Sequence, residues 1–159
     1  FKLPSQYKID QDKLNSTYQI LQKQLHPDNF INHPDNLLSV MVSAHINNAY
    51  NTLNSPLLKT IELLRQNGII LDLNIDKELP TNFLMQQMEL YEKIEEAEGH
   101  TEKLEMLAHK LTSKISELDD KIAQNFVLTN FTAIIDEAKE LAFYNKLQLL
   151  VDQKIEESW

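Results

Sequence analysis

A proline between two amphipathic helical patterns constrains the fold of this chain more than any other feature. Pro27 disfavours the helical conformation at His26 and has no backbone N–H, so a helix predicted over residues 11–25 has to end just before it. The apolar residues of that helix recur at steps of four, three and four, which places them on one face. They are Leu14, Tyr18, Leu21 and Leu25.

A second helical stripe follows the proline. It consists of Leu38, Val42, Ile46, Ala49 and Leu53, widened by Met41 and Tyr50. Two such helices, joined by a connection of about ten residues, should pack antiparallel against each other. The tip of this hairpin would then expose His26, Pro27 and Asp28 to water.

The same tripeptide occurs again at His33-Pro34-Asp35. The first copy ends a long helix and is followed by Phe30, an apolar anchor that should hold the loop against the hairpin. The second copy comes immediately before a helix, where Asp35 or Asn36 would be the N-cap. We therefore expect the second copy to have a structural role, whereas position alone leaves the first copy open between an ordinary turn and a recognition site.

The rest of the chain is also predicted to be helical. Ser55 and Pro56 begin a helix that Gly68 should end. Three longer patterns follow, over about 82–98, 101–124 and 130–156, and helices of this length joined by short turns form a bundle. Glycine is scarce, at 2 residues, and alternating apolar patterns are absent, so the fold class is all-α.

Charge divides the chain near Pro56. Four lysines and four aspartates balance in residues 1–56, so the remaining residues carry the whole net charge of −9. Such an acidic second part argues against a nucleic-acid partner. The chain has no cysteine, so it cannot hold a cysteine-ligated cluster by itself. No stretch is apolar enough to span a membrane, and we expect a cytoplasmic protein with no membrane partner.

The helix predicted at 82–98 combines apolar and acidic residues in an unusual way. Leu84, Met88, Glu92 and Glu96 are separated by steps of four and share one ridge, with Met85 and Glu89 on the neighbouring ridge. Flexible apolar side chains edged by carboxylates suit the binding of a basic partner. The alternative is that the leucine and methionines belong to the core and the acids to the solvated face. Periodicity alone leaves both open.

A helical hairpin with an exposed His-Pro-Asp tip resembles the J domain, by which co-chaperones stimulate the ATPase of a DnaK-class chaperone. Longer runs resemble the HscB branch of J proteins, which serves iron–sulfur cluster assembly. The runs are Phe1-Lys2-Leu3-Pro4, Tyr7-Lys8-Ile9-Asp10, Leu21 to Asp28, and Ile46 to Leu53 followed by Pro56-Leu57. The resemblance implies two protein partners, an HscA-type chaperone and an IscU-type scaffold protein.

The resemblance also implies which residues bind each partner. The chaperone-binding residues would be His26, Pro27 and Asp28, with Lys13 and Lys23 as a basic face. Asn29 stands where the family commonly has lysine, so we expect a smaller electrostatic contribution to association. The run from Phe83 to Leu90 resembles the scaffold-binding segment, and the run from Ala142 to Leu147 adds one aromatic residue. The scaffold-binding set is Leu84, Met85, Met88, Glu89, Glu92, Glu96 and Phe143.

By the same resemblance, residues 1–56 would form a J domain with a truncated first helix. Residues 57–80 would form a connecting helix and loop, and residues 81–159 a C-terminal three-helix bundle that binds the scaffold. We expect no catalytic residue, cofactor or metal in such an adaptor, and hence no enzyme.

Two other interpretations stay open. The chain could be a J-domain adaptor for a different client, or it could bind zinc or iron through side chains of the loop. The candidate ligands are His26, Asp28, His33 and Asp35.

Overall fold

A computed structural model describes residues 1, 6–73 and 81–158, and all the regular structure in those residues is helical. The helices are α1 (Gln11–Leu25), α2 (Asn36–Asn54), α3 (Pro56–Gln66), α4 (Thr81–Glu96), α5 (Thr101–Val127) and α6 (Phe131–Glu157), with a short 3-10 helix at Pro27–Phe30. The all-α prediction is confirmed. The run at residues 2–4 and most of the expected connecting loop, from residue 74 to 80, lie outside the described residues.

Local signals in the sequence set the helix ends. The carboxylate of Asp10 accepts a hydrogen bond of 2.9 Å from the backbone N–H of Lys13, so Asp10 caps α1. The hydroxyl of Ser55 caps α3 in the same way, with Pro56 in the first helical position. Gly68, which follows the end of α3, has a φ of 79°, a left-handed conformation that glycine adopts without steric cost.

The chain divides into two compact units, Phe1–Gly68 and Ile69–Trp159. In the first unit, α1 and α2 form the predicted antiparallel hairpin. The ring of Tyr18 stacks on that of Tyr50 with 3.9 Å between their centroids. Each tyrosine hydroxyl donates to an asparagine on the opposite helix, Tyr18 to Asn47 and Tyr50 to Asn15, both at 3.0 Å. These paired contacts fix the register of the hairpin.

The apolar stripe predicted for α2 is wrong at its N-terminal end. Leu38 and Met41 are 58% and 62% exposed, whereas Ser39 and Ser43 are buried with Ile46. The hydroxyl of Ser43 donates to the backbone carbonyl of Leu25 at 2.7 Å. The helix is therefore rotated so that small polar residues meet the end of α1, where backbone carbonyls need donors.

Tyr7, which precedes the hairpin, is held against α3. The buried ring of Tyr7 lies under the ammonium group of Lys59, 4.3 Å from its centroid. The Tyr7 hydroxyl lies 3.1 Å from the hydroxyl of Thr60, which is also buried. The helix α3 therefore belongs to the first unit.

The second unit is a bundle of α4, α5 and α6, as predicted. Its core is formed by apolar residues of the two long helices, among them Leu104, Leu111, Leu118, Ile122, Ile134, Leu141, Leu147 and Val151. Helix α4 adds the buried residues Phe83, Ile94 and Ala97. Its C-terminal end is tied to α6 by Glu98, whose carboxylate lies 2.6 Å from the ammonium group of Lys154. Within the described residues, no helix is long and apolar enough to cross a membrane.

Candidate partner-binding surfaces

The first His-Pro-Asp turn lies at the tip of the hairpin and faces water. Helix α1 ends at Leu25, and the chain continues through His26 into the 3-10 helix that begins at Pro27. The Nδ1 atom of His26 accepts a hydrogen bond of 3.3 Å from the backbone N–H of Asp28 and lies 3.5 Å from its carboxylate. Both side chains are more than half exposed, at 52% and 78%. The predicted exposure of the tip is confirmed.

Two side chains that the sequence analysis did not select hold this turn on the hairpin. Asn29 donates to the backbone carbonyl of Lys23 at 2.8 Å, which satisfies one of the free carbonyls at the end of α1. Ser43 donates to the carbonyl of Leu25, the residue just before His26. A pair of serines at positions 39 and 43, inside an apolar pattern, was the signal in the sequence for this second anchor.

Lys13 and Lys23 are both exposed on α1. They are ten residues apart, which is roughly 15 Å along the helix axis. Only Lys23 lies in the last turn, next to the His-Pro-Asp tip. The two lysines are therefore separate charges rather than one compact basic patch.

The second tripeptide starts α2, but Asp35 does not cap the helix as expected. Asp35 occupies the N-cap position and its side chain makes no capping hydrogen bond. The amide of Asn36 instead donates to the backbone carbonyl of Phe30 at 3.3 Å. Phe30 is half-buried, and its ring meets the ring of His33 in the same loop edge-on at 5.9 Å.

The predicted scaffold-binding residues on α4 lie together on its outer surface. Leu84, Met85 and Met88 are 46%, 61% and 66% exposed, so the interpretation that places them in the core is wrong. The three glutamates predicted beside them are exposed as well. We call this surface the α4 ridge; it consists of Leu84, Met85, Met88, Glu89, Glu92 and Glu96.

Phe143 lies apart from the α4 ridge, in the interior of the second unit. It is only 5% exposed. Its ring meets those of Phe83, Tyr91 and Tyr144 edge-on, with centroid distances of 5.5, 6.1 and 5.3 Å. Since Phe83 and Tyr91 belong to α4, Phe143 supports the inner side of the helix whose outer side carries the ridge.

The loop histidines and aspartates do not form a metal site in this structure. Among the residues that are described, no three or more histidine, aspartate or glutamate side chains come close enough to hold a metal ion. The metal-binding interpretation therefore has no support from the geometry of the loop.

Comparison with known proteins decides the family. A family model described as the HSCB C-terminal oligomerisation domain matches residues 79–152. The co-chaperone protein HscB homolog of Psychromonas ingrahamii is 35% identical over 161 residues, which cover 98% of this chain and 95% of that protein. The chain belongs to the HscB family. The predicted family and its co-chaperone function are confirmed.

Solved HscB structures have the same fold. The chaperone HscB from Vibrio cholerae matches with a TM-score of 0.81 and 30% identity, over 99% of this chain and 96% of that one. Human co-chaperone protein HscB matches with a TM-score of 0.82 and 28% identity, over 94% of this chain and 76% of that one. The predicted arrangement of this HscB-family chain, a J-domain hairpin followed by a helical bundle, fits both.

Proposed function

We propose that this HscB-family chain is an adaptor in iron–sulfur cluster assembly. Its first unit stimulates the ATPase of an HscA-type, DnaK-class chaperone through the His26-Pro27-Asp28 turn. Its second unit carries an IscU-type scaffold protein on the α4 ridge. The observation that carries the proposal is that one HscB-family chain exposes both surfaces, each on a rigid helical support. The adaptor itself performs no bond chemistry.

The turn is suited to binding a guanidinium group. The exposed carboxylate of Asp28 can accept charge-assisted, bidentate hydrogen bonds from an arginine of the chaperone. Since Nδ1 of His26 accepts from the backbone, Nε2 is the ring nitrogen that can donate to the partner. Pro27 and the anchors at Asn29 and Ser43 hold this geometry before binding, so docking orders little additional chain.

The α4 ridge is suited to a partner that is apolar at its centre and basic at its edge. Its two methionines are flexible and adapt to the shape of an apposed apolar surface. The carboxylates of Glu89, Glu92 and Glu96 lie on the C-terminal side of the apolar residues and would attract basic side chains of the scaffold. We propose that Phe143, buried beneath α4, acts in scaffold binding by supporting the ridge.

An adaptor must bind both partners at once, which analytical ultracentrifugation can test. The protein is mixed with an HscA-type chaperone, ATP and an IscU-type scaffold, and each is labelled with a different chromophore. We expect one species that contains all three. His26→Gln should lower the fraction of this species that contains the chaperone, and Leu84→Ala with Met88→Ala should lower the fraction that contains the scaffold. Failure of the wild-type protein to bring both partners into one species would refute the adaptor function.

A further inference from the structure

The two His-Pro-Asp tripeptides are parts of a longer repeat. Residues 26–29 and residues 33–36 both read His-Pro-Asp-Asn, and each is followed by two apolar residues, Phe30-Ile31 and Leu37-Leu38. The copies are seven residues apart within one loop region. The J-domain function proposed above uses only the first.

The two copies also make the same local contacts, although the first continues into a 3-10 helix and the second into α2. The His26 carbonyl accepts from the backbone N–H of Asn29 at 2.9 Å, and the His33 carbonyl from that of Asn36 at 3.0 Å. Nδ1 of His33 accepts from the backbone N–H of Asp35 at 3.2 Å, against 3.3 Å in the first copy. The distance from imidazole Nδ1 to carboxylate is 3.4 Å in the second copy and 3.5 Å in the first.

The second copy therefore presents the same chemical groups to water. His33 and Asp35 are 56% and 59% exposed, and because Nδ1 of His33 accepts from the backbone, Nε2 is the ring nitrogen that can donate to a ligand. Asp35 was expected to have a structural role as the side-chain cap of α2, but its carboxylate makes no capping hydrogen bond. An exposed carboxylate beside an imidazole donor, held in a fixed turn, is available for a ligand.

We propose that His33-Pro34-Asp35 is a second docking turn for the same arginine-bearing surface of the DnaK-class chaperone. This inference rests on the proposed function of the first turn. The same acceptor and donor in the same geometry select the same guanidinium group, so the chaperone engages one turn or the other. A second turn raises the number of productive encounters, which matters for a chain whose Lys13 and Lys23 form no compact basic patch.

Replacement of each aspartate by asparagine tests the inference with little effect on the fold. Asparagine is as good as aspartate at an N-cap, so Asp35→Asn preserves the start of α2 and removes only the charge. The assay is the stimulation of ATP turnover of an HscA-type chaperone, measured against the concentration of the full chain. The variants are Asp28→Asn, Asp35→Asn and the double substitution, each checked by its thermal unfolding midpoint.

We expect Asp28→Asn to keep a residual stimulation, and the double variant to need a half-saturating concentration about tenfold or more above that of Asp28→Asn. A second turn that acted only by shaping the first would leave the double variant equal to Asp28→Asn. That result, or complete loss of stimulation in Asp28→Asn alone, would overturn the inference while the proposed function stood. No stimulation by the wild-type chain would overturn both.

Discussion

The ring of Phe143 on α6 meets the ring of Phe83 on α4 edge-on, with 5.5 Å between their centroids. This contact helps to set the rotation of α4 about its own axis. With Phe83 turned inward, Leu84 and Met85 are turned outward, and Met88 follows one turn later on the same side. The buried Phe83–Phe143 pair therefore helps to place the apolar residues of the α4 ridge on the outer side of the helix.

We predict that Phe143 acts through stability rather than by touching the scaffold. Phe143→Ala should lower the free energy of unfolding by about 3 to 5 kcal/mol, because it opens a cavity among packed rings. Urea denaturation measures this loss. Phe143→Leu, which fills most of the space, should leave the affinity for the scaffold close to that of the wild type. A large loss of affinity in Phe143→Leu, with an unchanged unfolding curve, would mean that Phe143 contacts the partner.

The exposed apolar residues of the α4 ridge, unlike Phe143, should affect scaffold binding rather than stability. Leu84→Ala combined with Met88→Ala should weaken scaffold binding by about tenfold or more, as expected for central interface residues. Calorimetry measures the affinity. Since both side chains are exposed, the free energy of unfolding should change by less than about 0.5 kcal/mol.

The matched control is Met106→Ala, on α5. Met106 is a methionine of the same unit and is 62% exposed, similar to Met88. We expect no change in scaffold affinity for this variant. An equal loss of affinity in Met106→Ala would show that the scaffold does not select the α4 ridge.

The contact between Ser43 and the carbonyl of Leu25 should matter for chaperone stimulation. Ser43→Ala removes a donor from a carbonyl at the base of the turn and should cost about 1 kcal/mol of stability. We also expect a higher half-saturating concentration in the ATPase assay, because the turn is less well held. Ser16→Ala, at an exposed serine of α1, serves as the control. Wild-type stimulation in Ser43→Ala would show that the anchor is not needed.

The stability of the first unit should depend on pH through Glu62. Hydrogen bonds from Arg65 and Gln66 lower the pKa of the Glu62 carboxyl from 4.5 to about 2. A lowered folded-state pKa means that the carboxylate contributes stability above pH 4.5, and that this contribution is lost as the pH falls towards 2. The contribution is small, since the glutamate is partly exposed.

Denaturant titrations of the wild type and of Glu62→Gln at several pH values test this prediction. The wild type should be the more stable of the two at pH 6, and the difference should disappear as the pH approaches 2. A difference that stayed constant over this range would contradict the assignment of the lowered pKa to Glu62.

Several helix boundaries were predictable because their causes are local, whereas α5 extends to Val127, three residues beyond its predicted end at 124. Asp10, Pro27 and the Ser55-Pro56 pair act on their own neighbours in sequence, and the structure ends and begins helices at those places. The exposed position of the first tripeptide followed from the same reasoning, since a proline between two helical stripes leaves the turn at the tip.

The buried sides of α2 and α4 were not predictable, because they depend on contacts with residues distant in sequence. Leu38 and Met41 fit an apolar stripe, yet α2 turns Ser43 inward to reach the carbonyl of Leu25. Helix α4 has apolar residues on both sides, and only packing against Phe143, sixty residues beyond Phe83, decides which side is buried. The spacing of apolar residues predicts which of them share a helix face, but it does not predict whether that face packs against another helix or faces solvent.

We propose that the His26-Pro27-Asp28 turn drives the ATPase of a chaperone partner. The most direct measurement is single-turnover ATP hydrolysis by an HscA-type chaperone with the wild-type chain, His26→Gln and His45→Gln. His45 is an exposed histidine of α2 in the same unit and is the control. We predict strong stimulation by the wild type and by His45→Gln, and a large loss with His26→Gln. Equal stimulation by all three proteins, or none by the wild type, would show that this turn does not drive the ATPase.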